Sequence, residues 1–201
     1  MEAECVTDLV NAWWKLRRIE KDTIKLTSTG TSAQLNGIFS QNKLGTQRIA
    51  NNVIKDFSTQ TTNIQSVFGI YAGGYSTYSG FGLSDLALFP KSSTVTGNTI
   101  SNWSVCSGPT ALAPPNRVFA IADDNFDTTT SNITNNTVSS ITINNSSIKF
   151  AGYGNIYSYG PFTATPIVHK TNFTGNTFSS ITSSSPVAGI TNTTPLLIVH
   201  P

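Results

Sequence analysis

A short motif that recurs five times is the feature that most restricts what this chain can fold into. Its pattern is apolar, Thr, Gly or Asn, Asn, Thr, apolar, Ser, polar, apolar, and successive copies lie 30, 46, 38 and 40 residues apart. The Asn position of the five copies is occupied by Asp22, Asn52, Asn98, Asn136 and Asn176. A repeat of this period is typical of solenoid proteins.

A second motif follows each copy after a polar stretch, and it contains a Gly or Ala among apolar residues. Its five copies are residues 35–39, 67–71, 118–122, 148–152 and 187–190. Both motifs have the length and alternation of short β-strands, and turn-forming residues separate them. One repeat cannot bury its own apolar face, whereas stacked repeats can. We therefore predict an all-β fold, a parallel β-helix (solenoid) of about five coils with three strand segments per coil.

The repeated Asn has two predicted roles. Asn tolerates the left-handed backbone region at a sharp turn, and stacked Asn amides can hydrogen-bond along the column. The apolar positions that follow each Asn are predicted to form two stacks inside the column. The first stack comprises Ile24, Ile54, Ile100, Val138 and Phe178, and the second comprises Leu26, Phe57, Trp103, Ile141 and Ile181.

The ends of the chain suggest how the solenoid is bounded. Residues 1–17 are predicted to form an N-terminal cap, because Val6, Leu9, Val10, Trp13 and Leu16 have the spacing of a short amphipathic helix. The alternation at 14–16 would also suit a strand. Residues 18–201 are predicted to be parallel β-helix repeats, and we expect them to be a fragment of a longer solenoid. The N-terminal residues do not have the pattern of a signal peptide.

The chain resembles the long secreted β-helix proteins of Bacteroidetes-type bacteria, which carry NTI-S-N-I segments alternating with GIY segments. Here the corresponding residues are 98–103 and 69–71, and the resemblance covers roughly residues 18 to 190. It implies a right-handed β-helix, export, a surface or adhesive role, and no catalytic residues. Residues 173–176 are also similar to the F-x-x-N repeats of chlamydial polymorphic outer-membrane adhesins, although the companion G-G-A-I motif is absent.

The densest group of carboxylates is Asp123, Asp124 and Asp127, which follows an apolar strand-like run. Hard oxygen ligands of this kind can bind calcium, and paired carboxylates can serve glycoside hydrolysis as acid and base. A solvated loop rich in turn-forming residues would use the same residue types. The Gly-His-Gly and Arg-x-Lys motifs of pectinases are absent. We therefore expect no cofactor, with calcium at these three residues as the alternative.

Tyrosines are concentrated in the long segments between strands, and the candidates for ligand binding are Tyr75, Tyr78, Tyr157 and Tyr159. An exposed tyrosine can stack on a sugar ring and hydrogen-bond through its hydroxyl. Alternatively, these rings pack the long segments onto the column. The sequence therefore predicts carbohydrate or other cell-surface components as partners, or no ligand at these positions.

Charge restricts the functional classes further. Charged residues make up 11% of the 201 residues, against about 25% in average globular proteins. The sequence has no basic stripe of the kind that binds nucleic acid, and it has no apolar run of transmembrane length. The favoured function is a non-catalytic structural or adhesive segment of a secreted or cell-surface protein, expected to be a monomer. The alternatives are a polysaccharide lyase or hydrolase, and a glycan-binding module.

Overall fold

The computed structural model describes residues 16–28, 33–41, 45–59, 64–73, 92–105, 117–124, 130–144, 149–155, 170–183 and 187–192. These residues form fifteen strands, and the predicted N-terminal cap lies outside them except for its last two residues, which belong to the first strand. The strands are β1 (Leu16–Glu20), β2 (Thr23–Ser28), β3 (Ala33–Gln41), β4 (Thr46–Ala50), β5 (Val53–Thr59), β6 (Ile64–Gly73), β7 (Ser92–Thr96), β8 (Thr99–Val105), β9 (Arg117–Asp124), β10 (Thr130–Thr134), β11 (Thr137–Ile143), β12 (Lys149–Asn155), β13 (Lys170–Thr174), β14 (Thr177–Ser183) and β15 (Val187–Asn192).

Every third strand belongs to the same sheet, which is the topology of a parallel β-helix. Sheet 1 has the order β1-β4-β7-β10-β13, sheet 2 has β2-β5-β8-β11-β14, and sheet 3 has β3-β6-β9-β12-β15. All neighbouring strands are parallel. Each coil therefore contributes one strand to each sheet, and the prediction of five coils with three strands each is confirmed. Parallel crossover connections are right-handed in about 98% of cases.

The ladder of repeated asparagines occupies the corner between sheets 1 and 2. The side-chain oxygen of Asn98 accepts hydrogen bonds from the backbone N and Nδ2 of Asn52, at 3.0 and 2.9 Å. Asn98 Nδ2 donates to Oδ1 of Asn136 and to the carbonyl of Ile49. The buried amides of Asn98 and Asn136 thus use both donors and accept twice, which removes the cost of burying them. Asn136 and Asn176 continue the column, and the predicted ladder is confirmed.

The prediction that the ladder asparagine itself adopts the left-handed conformation is wrong. The positive φ angles fall on the preceding residue of each corner: Lys21, Asn51, Gly97, Asn135 and Gly175, with φ between 56° and 66°. The corner is a two-residue turn in every coil. Its first residue takes the left-handed conformation where the chain bends from sheet 1 to sheet 2, and the second residue is the ladder asparagine, which is buried at Asn52, Asn98 and Asn136.

The interior contains the two predicted apolar stacks together with apolar residues from sheets 1 and 3, and only the side chain of Leu26 in these stacks lies outside the described residues. Ile54, Ile100 and Val138 have no exposed surface, and Trp103 packs on Phe57 with ring centroids 4.9 Å apart. Burial of this much apolar side-chain surface is the main driving force for folding. In the last described coil the equivalent residues Phe178 and Ile181 are only partly buried.

The register of sheet 3 corrects one alignment of the second motif. Phe150 pairs with Val118, so the fourth copy of the motif begins at Phe150, two residues later than predicted. The small residue of that copy is then Gly152, opposite Ala120. A small residue is needed in this column where space is short, since a Cβ on Gly69 would lie 2.5 Å from the carbonyl oxygen of Ala120 and 2.8 Å from the Trp103 ring.

Candidate functional site

The outer faces of sheets 1 and 2 in the third, fourth and fifth coils are almost free of charge. Of the residues in β7, β8, β10, β11, β13 and β14, Lys170 alone carries an ionisable side chain. The outward positions of these strands are occupied by Ser, Thr and Asn because the motif places polar residues between the apolar, inward ones. This produces a broad surface of hydroxyl and amide groups.

On sheet 1 the outward side chains hydrogen-bond to one another across neighbouring strands. Thr134 Oγ1 donates to Thr96 Oγ1 at 2.8 Å, and Asn172 Nδ2 donates to Asn132 Oδ1 at 3.4 Å. These groups satisfy part of one another's hydrogen-bonding capacity. They stabilise the sheet and have fewer free positions for a ligand.

On sheet 2 the outward hydroxyls form two rows of identical residues, one of threonine and one of serine. We call this surface the hydroxyl face, and it consists of Thr99, Ser101, Thr137, Ser139, Thr177 and Ser179. The strand register places the three threonines directly opposite one another, and likewise the three serines. All six side chains are partly or fully exposed. The side-chain hydrogen bonds found among the described residues involve none of these six hydroxyls.

The first two coils have a different surface. On sheet 2 they place Lys25 and Lys55 in the column of the serine row, and Lys25 Nζ lies 3.0 Å from Asp56 Oδ2. The hydrogen bond from Lys25, and then that from Asn102, hold the pKa of Asp56 below its usual value. Arg18, Lys21 and Lys25 are also exposed. The hydroxyl face therefore ends at the second coil.

A second polar column lies inside the solenoid, at the corner between sheets 3 and 1. Ser40 Oγ donates to Gln47 Oε1 at 3.1 Å, and Gln47 Nε2 donates to Ser93 Oγ at 2.8 Å, with all three residues buried. Ser93 pairs with Ser131 in the next coil. Sequence reasoning missed this column. The signal for this column is a polar residue two positions before the first apolar residue in the last four copies of the Asn motif. These residues are Gln47, Ser93, Ser131 and Thr171.

Asp123 lies in β9 and has no exposed surface, so the expectation of a solvated loop beginning at this residue is wrong. The hydroxyl of Tyr153 donates to Asp123 Oδ2 at 3.2 Å. Burial raises the pKa of Tyr153 well above its usual value, and the nearby Asp123 charge adds to this effect. Asp123 pairs in register with Ala72, which belongs to the core. The carboxylate therefore faces the interior.

The calcium prediction named Asp123, Asp124 and Asp127, and the structure describes the side chain of Asp123 only. Asp127 and the side chain of Asp124 lie outside the described part of the molecule. Among the residues that are described, no three His, Cys, Asp or Glu side chains form a group that could hold a metal ion. The calcium site stays a prediction. The four ligand-binding candidates Tyr75, Tyr78, Tyr157 and Tyr159 also lie outside the described residues.

Comparison with known proteins gives no relative for this chain. No protein-family model, no curated protein and no solved structure matches it. Among the described residues, no helix has the length and apolar character needed to cross a membrane. The function must therefore be inferred from the geometry of the column and its surfaces.

Proposed function

We propose that this chain is a non-catalytic structural and adhesive β-helix segment of a secreted or cell-surface protein. The observation that carries the proposal is the almost uncharged outer face of sheets 1 and 2 in the last three described coils, where six strands contain a single ionisable residue, Lys170. General acid–base catalysis requires ionisable groups within reach of the substrate. A surface of hydroxyls and amides offers a partner hydrogen bonds but supplies no such group.

The buried carboxylate supports the same conclusion. Asp123 is held by the Tyr153 hydroxyl inside the column and has no contact with solvent. An acid or base in glycoside hydrolysis must meet the scissile bond of a polymer. A buried position therefore suits a role in stability better than a role in catalysis.

A stiff column is also suited to a structural role. Each coil is hydrogen-bonded to the next through all three sheets and through the asparagine ladder. The coils rise by about 4.8 Å each, the distance between paired strands. Such a column extends by adding repeats and can hold an adhesive surface at a fixed distance from its attachment, in agreement with the resemblance to secreted bacterial β-helix proteins.

Two measurements test the proposal. Antibodies against the chain should detect it in the culture medium or on intact cells of the producing organism, where added protease should remove the signal. The purified chain should release no new reducing ends or unsaturated products from neutral or acidic polysaccharides. Detection only in the cytosol would contradict the surface role, and depolymerisation of any of these polymers would favour the lyase or hydrolase alternative.

A further inference from the structure

We propose that the hydroxyl face of sheet 2 binds a neutral polysaccharide whose repeating units contact successive coils. This inference rests on the proposed adhesive function and assigns it a surface and a class of partner. It depends on three properties of the six residues of that face: their hydroxyls have no partners among the described residues, they lie in register, and no charge lies among them.

The first property separates sheet 2 from sheet 1. The outward groups Thr96 and Thr134, and also Asn132 and Asn172, hydrogen-bond to each other on sheet 1. On the hydroxyl face, Thr99 and Ser101 and their equivalents have no such partners among the described side chains. A hydroxyl group is both donor and acceptor, as are the hydroxyls of a sugar. The free groups of sheet 2 can therefore exchange water for sugar hydroxyls.

The second property is the regular spacing of the face. Thr137 pairs with Thr99 on one side and with Thr177 on the other, and Ser139 pairs with Ser101 and Ser179. Rows in neighbouring coils are about 4.8 Å apart, and the Thr and Ser within one strand are separated by about 6.6 Å, or two residues. A polymer of identical units can repeat the same contact on each coil. Linked weak contacts then add to a useful affinity.

The third property excludes other classes of partner. Nucleic acids and acidic polysaccharides are bound through Lys and Arg, and the described sheet 2 strands of coils three to five contain neither. A lipid surface requires an exposed apolar face, whereas here the apolar residues Ile100, Val138 and Ile141 are buried. The chemistry that remains complementary is neutral and rich in hydroxyl groups.

The test compares two triple variants of the whole chain in which threonine is replaced by valine of nearly the same shape. The sheet 2 variant carries Thr99→Val, Thr137→Val and Thr177→Val, and the matched sheet 1 variant carries Thr94→Val, Thr96→Val and Thr134→Val. Each protein is mixed with microcrystalline cellulose, chitin, insoluble xylan and insoluble mannan, and the fraction left in solution is measured. Circular dichroism and a thermal melt check that both variants are folded.

We expect the wild-type chain to bind at least one of these polymers, the sheet 2 variant to bind it at least tenfold more weakly, and the sheet 1 variant to bind within twofold of wild type. Equal binding by the folded sheet 2 variant would overturn the assignment of the face while leaving the adhesive function in place. If wild type binds none of the four polymers, or binds only ice in a recrystallisation assay, the partner class is wrong. Cytosolic localisation would instead overturn the proposed function itself.

Should the triple variant not fold, the single variant Thr137→Val is expected to bind the polymer at least threefold more weakly than wild type. Unchanged binding by this variant would count against the assignment.

Discussion

At the scale of single residues, the asparagine ladder depends on an amide rather than on a polar group of any kind. Asn98 Nδ2 donates to both Asn136 Oδ1 and the Ile49 carbonyl. Replacing Asn98 by Asp keeps the shape but removes both donors and places a carboxylate against two acceptors. We expect Asn98→Asp to lower the free energy of unfolding at pH 7 by about 3–5 kcal/mol, the cost of an uncompensated buried charge.

This loss should depend on pH in a defined direction. Burial would raise the pKa of the new carboxyl in the folded state above its unfolded value of about 3.9. The destabilisation therefore grows as pH rises above about 4 and becomes smaller as pH falls towards it, because the protonated acid can again donate a hydrogen bond. Urea denaturation of wild type and Asn98→Asp at pH 4 and pH 7 measures the difference. Asn172→Asp, on the exposed face of sheet 1, is the control and should change little; a pH-independent loss in Asn98→Asp would contradict this account.

Tyr153 gives a second prediction at this scale. Because burial and the Asp123 charge raise its pKa in the folded protein, the phenol remains protonated when the unfolded chain already ionises. The resulting stability is fully present below about pH 10 and is lost as pH rises through the folded pKa. Tyr153→Phe should be less stable by about 1–3 kcal/mol at pH 7, since Asp123 loses a donor. The difference from wild type should narrow above pH 10, as measured by chemical denaturation between pH 7 and 11, and parallel pH profiles would contradict it.

At the scale of the strand, the repeat was sufficient to predict the coil, the three strands per coil and the asparagine column. These follow from residues that recur in the same order, such as Asn98, Asn136 and Asn176, and the recurrence can be read without coordinates. The buried pair Asp123–Tyr153 could not be predicted, because the predicted fourth copy of the second motif ended at Gly152 and left Tyr153 outside the strand. The hydroxyl face was present in the sequence as Thr-x-Ser, but strand polarity and register were needed to show that the rows are continuous.

A simple period of two also fails within sheet 2, for a local reason. Val138 and Ile141 both face the core although they are three residues apart. Ser140 lies between them and is skipped in the backbone pairing with both neighbouring strands. Its φ angle is 57°. Equivalent positive φ angles occur at Asp56, Asn102 and Ser180. In β5, β8, β11 and β14 one left-handed residue therefore returns the side chains to the interior after an odd number of residues, at the same register in each coil.

This geometry predicts the effect of substitutions at the left-handed position. Ser140→Val should destabilise the protein by about 1–2 kcal/mol, because a β-branched residue tolerates the left-handed region poorly. Ser140→Asn should be neutral or slightly stabilising, since Asn occupies the equivalent position at residue 102 in the neighbouring coil. Ser139→Val, at the adjacent outward position with ordinary φ, is the control and should stay within about 0.5 kcal/mol of wild type. Urea denaturation midpoints measure all three, and equal losses for the two valine variants would disprove the role of the left-handed conformation at residue 140.

At the scale of the whole molecule, the column is polarised along its axis. Its first two coils carry the ion pairs Lys25–Asp56 and Arg48–Glu20, whereas the outer faces of sheets 1 and 2 in the following coils are uncharged apart from Lys170. Exposed ion pairs contribute little to stability and are screened by salt. The folding energy of the column must therefore come from the apolar stacks and the ladder, in which every coil depends on its neighbours.

Ile141 and Ile181 test this dependence with a matched pair, because they occupy the same position in adjacent coils. Ile141 has no exposed surface and lies between two described coils, whereas Ile181 is partly buried and has a described coil on one side only. Ile141→Ala should cost about 2–4 kcal/mol, in the range for a buried large-to-small substitution, and Ile181→Ala less than half of that. Hydrogen exchange should agree, with slower exchange in β8 and β11 than in β14. Equal losses in the free energy of unfolding for the two variants would mean that position along the axis has no effect on stability. That result would contradict a column in which each coil is stabilised by its neighbours.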